Sequence, residues 1–311
     1  MKNKQPINIA TIITCHNRKH MTMKALNCLF EAAETYRQEN DSPLRLKLFL
    51  TDDGYTDGTA ESIEQTFRNE DIVILKGDGQ LYWVGSMRYA WEEALKEHSQ
   101  WDYYLLLNDD AFLFKDAFTQ LLNTHNYAIE TYTKGGVYAG ITCSSNQQEI
   151  TYGGGIYSSP IIGKLVLVHP NGHPRPCLVT YANILLVAKT VVDKIGIFDS
   201  CYRHRCADWA YGLQANKAGL PVLVTGSVCG IYEDDHNSEE EKEHIKKMSI
   251  RQRITYFAPL QSIKDVLAFM ARFQKIKYPM VCVARFMNIF SYAILSVQRN
   301  ATWSQTRILQ I

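Results

Sequence analysis

Three largely apolar runs in the first third of the chain each end in a cluster of polar side chains. The runs are Ile7–Thr14, Leu46–Thr51 and Leu105–Leu107. Runs of this kind are typical of strands that are buried on both faces of a parallel sheet. Ligands of such sheets bind outside the carboxyl ends of the strands. The pattern therefore predicts a parallel α/β sheet with one functional edge.

The polar clusters suit a ligand that contains phosphate. The first run ends at Cys15-His16-Asn17-Arg18, the second at Asp52-Asp53-Gly54, and the third at Asn108-Asp109-Asp110. Carboxylates at a strand end can hold a hard divalent cation, which in turn can hold a phosphate. A simple turn would explain any one cluster. Three such ends in one predicted sheet indicate a nucleotide-binding crevice.

Strands and helices alternate up to about residue 125, and this alternation predicts a right-handed parallel α/β arrangement. Short strands are expected at Val137–Cys143, Thr151–Tyr157, Ile162–Val168 and Leu178–Val187, separated by Gly, Ser, Asn and Pro, so mixed or antiparallel sheet is expected there. We predict an α/β mixed sheet flanked by helices over residues 1–236, followed by a helical extension over 237–311. The predicted early strands lie near 7–14, 45–51, 71–75 and 102–107, and the helices near 19–38, 57–68, 85–98 and 115–125.

Composition excludes some classes of function. The formal net charge of +1 gives no sign of nucleic-acid binding. Neither a signal peptide nor an apolar stretch of about 18 residues is apparent, so no membrane-spanning helix is expected. Eight cysteines occur without a C-x-x-C pair, and this usage favours reduced thiols and a cytoplasmic location. The Cys201, His204 and Cys206 group lacks a second half-site, so we do not expect zinc there.

The last quarter of the chain has two distinct parts. Residues 234–241 are acidic and turn-rich, and two readings stay open for them, a solvated loop or a mobile lid. Residues 242–299 combine basic side chains with apolar runs and are expected to be helical. Such helices suit peripheral contact with the inner face of a membrane. Packing against the first domain, or a homo-oligomer interface, is the alternative.

The motifs resemble those of the family 2 glycosyltransferases, which have the Rossmann-like GT-A fold, over about residues 7–236. Ile12–Arg18 resembles the family strand that ends in T/P-x-Y-N-R, with His16 where Tyr is usual. Asp52–Thr59 is similar to D-D-G-S-x-D-G-T, with Tyr55 at the Ser position. Asn108-Asp109-Asp110 resembles the D-x-D motif in the Asn-first form of bacterial rhamnosyltransferase-like members.

Two further segments carry the resemblance. Gly77–Arg88 matches the G-D-G-N-L-W-W-x-G-x-M-N loop of a subgroup, and its glycines and the following helix N-terminus are expected to approach a diphosphate. Cys206–Gly219 is similar to E-D-x-D-L-x-x-R-x-x-x-x-G, although Ala207 and Ala210 replace two of the acids. The resemblance makes the retained Asp208 the catalytic base.

The resemblance implies an inverting, metal-dependent enzyme. It would move a sugar from a nucleoside-diphosphate sugar to a saccharide or lipid-linked glycan acceptor in cell-surface polysaccharide synthesis. Mg²⁺ or Mn²⁺ would be held by Asp110 and by His236, with Asp234 as the substitute for His236, and would neutralise the leaving diphosphate. The implied donor-binding residues are Thr14, His16, Arg18, Asp52, Asp53, Asp78, Gly79, Trp83, Arg88, Asn108 and Asp109. The implied acceptor-side residues are Gly154, Asn183 and Trp209.

Two other functions stay open at this point. A sugar-phosphate nucleotidyltransferase would use a similar crevice, but it would want an early G-x-G-T-R-L-type loop, which Cys15–Arg18 does not supply. A non-catalytic carbohydrate or sugar-nucleotide binder is favoured by the losses at Ala207 and Ala210. Retention of Asp110 and Asp208 argues against it.

Overall fold

The chain forms an α/β structure built on one large mixed sheet. The computed structural model describes residues 5–40, 43–54, 56–158, 164–233 and 260–275, together with the isolated positions 247–249, 252, 279 and 283. The strands are β1 (Ile7–Cys15), β2 (Leu44–Asp52), β3 (Ile72–Lys76), β4 (Tyr103–Asn108), β5 (Phe112–Leu113), β6 (Val137–Cys143), β7 (Ile150–Tyr152), β8 (Gly154–Tyr157), β9 (Leu165–Leu167), β10 (Arg175–Pro176), β11 (Val179–Thr180), β12 (Ile184–Ala188) and β13 (Val222–Ile231).

The helices flank this sheet, as the alternating pattern predicts. They are α1 (Lys19–Asn40), α2 (Thr59–Thr66), α3 (Tyr82–Leu95), α4 (Ala117–Tyr132), α5 (Lys189–Ile195), α6 (Ala207–Lys217) and α7 (Leu260–Phe273). Helix α3 packs on β1 and β2, and α4 packs on β6 and β13. None of the described helices combines the length and the apolar character that a bilayer crossing requires.

The first half of the sheet is parallel. Strand β1 lies between β2 and β4, and β3 continues the sheet beyond β2. Cys15 is in register with Asp52, and Thr14 is in register with Asn108. The three polar clusters therefore meet at one edge of the sheet, and the predicted parallel arrangement is confirmed.

The second half of the sheet differs from the sequence prediction in one place that matters for function. A single strand was expected over residues 178–187, but the chain turns at residues 181–183. Strand β11 pairs with β8 in a small separate sheet, whereas β12 runs antiparallel between β4 and β6 in the main sheet. Because Ile184 is in register with Leu107, the turn delivers Asn183 to the end of β4.

The C-terminal helix α7 shares the core of the preceding domain. Val266, Phe269 and Met270 are buried, and the Phe269 ring lies 6.0 Å from the ring of Trp209 on α6. These three side chains belong to the same buried apolar cluster as Trp209, and the division at residues 236 and 237 stays a prediction. Burial of a side chain such as Phe269 contributes about 1.5–3 kcal/mol, so α7 stabilises the element that carries Asp208.

Candidate active site

Two adjoining cavities open at the edge where the strands end. The loop cavity, of about 320 Å³, is lined by Thr14, Cys15, His16, Arg18, Asp53, Gly79, Tyr82, Trp83, Ser86 and His204. The carboxylate cavity, of about 390 Å³, is lined by Arg18, Trp83, Asn108, Asp110, Tyr152, Tyr181, Asn183, His204, Arg205, Cys206, Asp208, Trp209 and Tyr232. Arg18, Trp83 and His204 border both cavities. A single elongated ligand can therefore occupy the two together.

The carboxylate of Asp53 organises the wall of the loop cavity. Its oxygens accept hydrogen bonds from the backbone N–H groups of Gly79, Leu81 and Tyr82, at 2.9, 3.1 and 3.2 Å. The carbonyl of Asp53 lies 3.0 Å from Nδ1 of His16. Since a carbonyl only accepts, this nitrogen carries the proton. Asp53 thus fixes the glycine-rich loop and His16 around the cavity.

Several backbone N–H groups at the start of α3, which the resemblance implied would approach a diphosphate, are bonded to other parts of the protein. The N–H groups of Leu81 and Tyr82 are bonded to Asp53. Those of Val84 and Gly85 donate to the carbonyl of Arg203, at 3.0 and 3.3 Å. A helix N-terminus attracts anions through its unpaired N–H groups, and four of those groups here already have protein acceptors.

Arg18 neutralises the two carboxylates that follow β4. Its guanidinium donates to Asp109 at 2.6 Å and to Asp110 at 2.5 Å. Asp109 is buried and also accepts a bond from the hydroxyl of Thr22 at 3.3 Å. Burial raises the pKa of Asp109 to about 7, and Arg18 opposes that rise. Oδ1 of Asp110 is buried and has no hydrogen-bond partner within the described chain.

Asn108 joins the two sides of the site through its amide. Its Oδ1 accepts a hydrogen bond from the indole N–H of Trp83 at 2.9 Å, and its Nδ2 donates to Oδ1 of Asn183 at 3.1 Å. Tyr232 also makes a side-chain hydrogen bond with Asn108. An aspartate at this position could not donate to Oδ1 of Asn183, so the amide makes a hydrogen bond that a carboxylate could not make.

Asp208 lies in the first turn of α6, on the wall of the carboxylate cavity. Its Oδ1 accepts from the backbone N–H of Trp209 at 2.9 Å, and its Oδ2 accepts from that of Ala182 at 3.3 Å. Burial raises the pKa of Asp208 to about 6, and these two hydrogen bonds limit the rise. A carboxylate with such a pKa is ionised at neutral pH and can still accept a proton effectively.

The loop that precedes α6 is held by the C-terminal helix. The buried carboxylate of Asp265 on α7 accepts from the backbone N–H groups of Arg203, His204 and Arg205, at 3.3, 2.7 and 2.9 Å. This loop places His204 between the two cavities. The Nδ1 atom of His204 is buried without a partner among the described residues, and burial lowers the pKa of its imidazole.

Several predicted site residues lie outside both cavities. The guanidinium of Arg88 contacts the carbonyl of Tyr202 and the carboxylate of Glu92 instead of a ligand site. Gly154 is a packing position, because a Cβ there would lie 2.6 Å from both Cys177 and Val224. Asp52, Asp78 and Asp109 also line neither cavity. His236 and Asp234, predicted to bind metal, are outside the described residues.

The sequence prediction missed part of the carboxylate cavity. An aromatic wall is formed by Tyr152, Tyr181 and Tyr232, whose neighbouring ring centroids are 5.1 and 5.2 Å apart. Aromatic faces of this kind suit stacking on sugar rings. His204 and Arg205 also line this cavity and were not predicted as site residues, although both are close to Asp208 in the chain. Nothing in the sequence distinguishes the wall from the other tyrosines, which total 18.

Comparisons with known proteins agree with this fold. Residues 10–149 match the sequence model of the family described as Glycosyl transferase family 2. Residues 1–349 of S. aureus TarS have a similar fold in complex with UDP, with a TM-score of 0.54, 11% identity, and coverage of 92% of this chain and 89% of that one. The complex of the same TarS fragment with UDP-GlcNAc gives a TM-score of 0.52 and 9% identity, covering 94% and 82% of the two chains.

A further similar structure is that of GalNAc-T7 with UDP, GalNAc and Mn²⁺. It gives a TM-score of 0.54 and 12% identity, covering 74% of this chain and 44% of that chain. At such identities the similarity concerns the fold, and it confirms the predicted GT-A architecture. No curated protein sequence gives a significant match.

Proposed function

We propose that this chain, whose residues 10–149 match the sequence model of Glycosyl transferase family 2, is an inverting enzyme of cell-surface polysaccharide synthesis. It transfers a sugar from a nucleoside diphosphate to a saccharide or lipid-linked glycan. The observation that carries the proposal is the position of Asp208. This carboxylate has a pKa of about 6, and it lines the same cavity as Arg18 and Asp110.

The donor would span the two cavities. Its nucleotide would bind in the loop cavity, where Thr14, His16 and Gly79 are lining residues. Its diphosphate would lie beside Arg18, which borders both cavities. The sugar would then occupy the carboxylate cavity, across from Asp208. Chemistry supports this placement of the donor, because the guanidinium of Arg18 between the two cavities would stabilise the charge that develops on the departing diphosphate.

A Mg²⁺ or Mn²⁺ ion at Asp110 is part of the proposal. The unpartnered, buried Oδ1 of Asp110 is suited to a cation, although the described residues contain no group of three side chains that would hold one alone. Mg²⁺ is usually held by one or two carboxylates together with substrate phosphates. Asp110 would hold the ion with His236 or Asp234, and when bound it supplies positive charge to the leaving group.

Asp208 would act as the general base. Its carboxylate would take the proton from the attacking acceptor hydroxyl as the bond to the anomeric carbon forms. One base and one displacement predict that the product has the opposite anomeric configuration to the donor. The backbone N–H groups of Trp209 and Ala182 hold the carboxylate in place for this step.

The proposal is tested first by ligand binding. UDP-, GDP- and dTDP-sugars are screened by thermal shift on the full chain, with and without Mn²⁺ or Mg²⁺. A ligand that binds the native state at 100 times its Kd stabilises it by about 2.7 kcal/mol. The anomeric configuration of the transfer product is then read by NMR. Absence of stabilisation by every nucleotide sugar, or retention of configuration, would contradict the proposal.

A non-catalytic sugar-nucleotide binder is the second candidate, because Ala207 and Ala210 replace two acids of the family motif. Both alanines are buried, and neither lines the carboxylate cavity. The replaced acids are therefore not missing from the cavity wall, while Asp208 and Asp110 are present there. Turnover of a bound nucleotide sugar distinguishes the two candidates, since a binder would release no nucleoside diphosphate.

We also propose a cytoplasmic location with peripheral membrane contact through the basic C-terminal region. Helix α7 is an unsuitable contact, because Val266, Phe269 and Met270 are buried in protein and Arg272 pairs with Asp199 at 2.6 Å. The proposal thus concerns residues 276–299. Flotation of the full chain with anionic liposomes at low salt checks it, and a chain that stays at the bottom of the gradient would favour an oligomer interface instead.

A further inference from the structure

A chain of hydrogen bonds leads from Trp83 through Asn108 to Asn183. An indole N–H can only donate, so the group of Asn108 that faces Trp83 at 2.9 Å must be its carbonyl oxygen. The amide nitrogen of Asn108 then faces Asn183 at 3.1 Å, and Asn183 must present its own oxygen to it. The hydroxyl of Tyr232 also bonds to Asn108, but a hydroxyl can donate or accept, so the indole N–H of Trp83 sets the orientation of both amides.

The amide nitrogen of Asn183 is the free end of this chain. Asn183 is 8% exposed, it lines the carboxylate cavity, and its Nδ2 has no acceptor among the described residues. The backbone of the residue is also fixed, because its carbonyl accepts the N–H of Asn108 at 3.1 Å. Buried donors in native proteins almost always have an acceptor. The position of this one indicates that a ligand supplies it.

We propose that Nδ2 of Asn183 donates a hydrogen bond to a hydroxyl oxygen of the donor sugar, and that Trp83 acts as a positioning residue by orienting the two amides. This inference rests on the proposed function. The resemblance implied an acceptor-side role for Asn183. Because its side chain bonds to Asn108, two residues before Asp110, we assign the contact to the donor sugar instead. A hydroxyl oxygen has the lone pairs that an N–H donor requires.

The test compares each nucleotide sugar with its bare nucleoside diphosphate. Isothermal titration of the full chain uses UDP, UDP-glucose, UDP-galactose, UDP-GlcNAc, GDP, GDP-mannose, dTDP and dTDP-rhamnose. Asn183→Ala removes the donor, and Asn183→Asp keeps the shape and the bond from Asn108 but presents only acceptors. For the nucleotide sugar that binds best, both variants should lose affinity by about tenfold, the effect of one hydrogen bond.

Affinity for the bare nucleoside diphosphate should stay within about twofold in Asn183→Ala. In Asn183→Asp, repulsion by the new charge would weaken the more highly charged bare diphosphate at least as much as the nucleotide sugar. A loss confined to the nucleotide sugar therefore cannot come from charge. Thermal melting of each variant verifies that the fold is retained.

Trp83→Phe keeps an aromatic ring at this position and removes the indole N–H, so it tests the positioning role. This variant should lose several-fold in affinity for the same nucleotide sugar. In the Asn183→Asp background its effect should be smaller, because a carboxylate presents acceptors in either orientation and only the direct contacts of the indole, which lines both cavities, are then lost. A double-mutant cycle measures this coupling.

Several outcomes would overturn the inference. An unchanged affinity of Asn183→Ala for the nucleotide sugar would show that no such contact exists. An equal loss for the bare nucleoside diphosphate in Asn183→Ala would assign the contact to phosphate. Additive effects of the Trp83 and Asn183 changes would refute the positioning role. If the wild-type protein binds no compound of the panel, the proposed function itself fails, and the inference fails with it.

Discussion

Replacement of Asp208 by asparagine should separate chemistry from binding. The carboxylate accepts backbone hydrogen bonds from Trp209 at 2.9 Å and from Ala182 at 3.3 Å. An amide of the same size keeps one acceptor oxygen for Trp209, so α6 should form normally. Donor affinity should be unchanged, whereas turnover should fall by about two to four orders of magnitude, the usual share of general-base catalysis.

The pH dependence follows from the pKa of Asp208, which burial raises to about 6. About nine-tenths of this carboxylate is ionised at pH 7 and about one-tenth at pH 5, so the wild-type rate should fall about tenfold per unit below pH 6. Release of nucleoside diphosphate is measured between pH 5 and pH 8 in wild type and in Asp208→Asn. The residual rate of the variant should lack the limb at about pH 6. A variant with near-normal turnover, or one that keeps this limb, would refute the assignment.

Stability provides an independent readout of the same group. The folded pKa of Asp208 lies above its ordinary value of 3.8, so the protonated form favours the folded state. This contribution is fully present below about pH 4 and is lost as the pH rises through 6. A shift of about two units corresponds to about 3 kcal/mol. Between pH 4 and pH 7 the free energy of unfolding of the wild type, measured with urea, should therefore fall by about 3 kcal/mol more than that of Asp208→Asn. Equal pH profiles for the two proteins would contradict the raised pKa.

Three other changes test how the site is held together. Arg18→Gln should tighten Mn²⁺ binding to the nucleotide-free protein by about tenfold, because the guanidinium competes for Asp110. Titration followed by electron paramagnetic resonance measures the affinity, with Asp110→Ala as the control that does not bind. Unchanged affinity would refute the competition. Asp265→Ala should lower the free energy of unfolding by about 3 kcal/mol, because three backbone N–H groups lose their acceptor. Asp265→Asn should have an intermediate value in urea unfolding. An unfolding free energy equal to that of the wild type in either variant would show that α7 does not hold the 203–205 loop. Gly154→Ala should lower the free energy of unfolding by about 1–3 kcal/mol through overpacking against Cys177 and Val224, and titration calorimetry should show unchanged donor affinity. Unchanged stability with weakened donor affinity would instead support its predicted role in ligand contact.

Much of the fold follows from local features of the sequence. The length and apolar character of a run of residues are local properties of the sequence, so Ile7–Thr14 and Leu105–Leu107 are recognisable as buried strands. Parallel pairing then brings their carboxyl ends to one edge, as the register of Thr14 with Asn108 shows. For that reason the sequence alone assigns Arg18 and Asp110 to one crevice.

The tertiary structure decided which of these groups are available to a ligand. Asn108 and Asn183 are 75 residues apart in sequence, and they meet because β12 inserts beside β4. Arg205 and Asp265 are 60 residues apart, and they meet because α7 packs on α6. Such contacts depend on how whole elements pack, and no periodicity in the sequence encodes that packing.

The same reason explains the expectations that the structure changed. The glycine-rich loop was recognised from its residues, but four backbone N–H groups at the start of α3 are bonded to Asp53 or to the carbonyl of Arg203. The sequence by itself determined which chemical groups lie near the ends of the strands. Only the folded chain determined which of their hydrogen-bonding atoms are already paired and which, such as Nδ2 of Asn183, lack a partner in the described part of the protein.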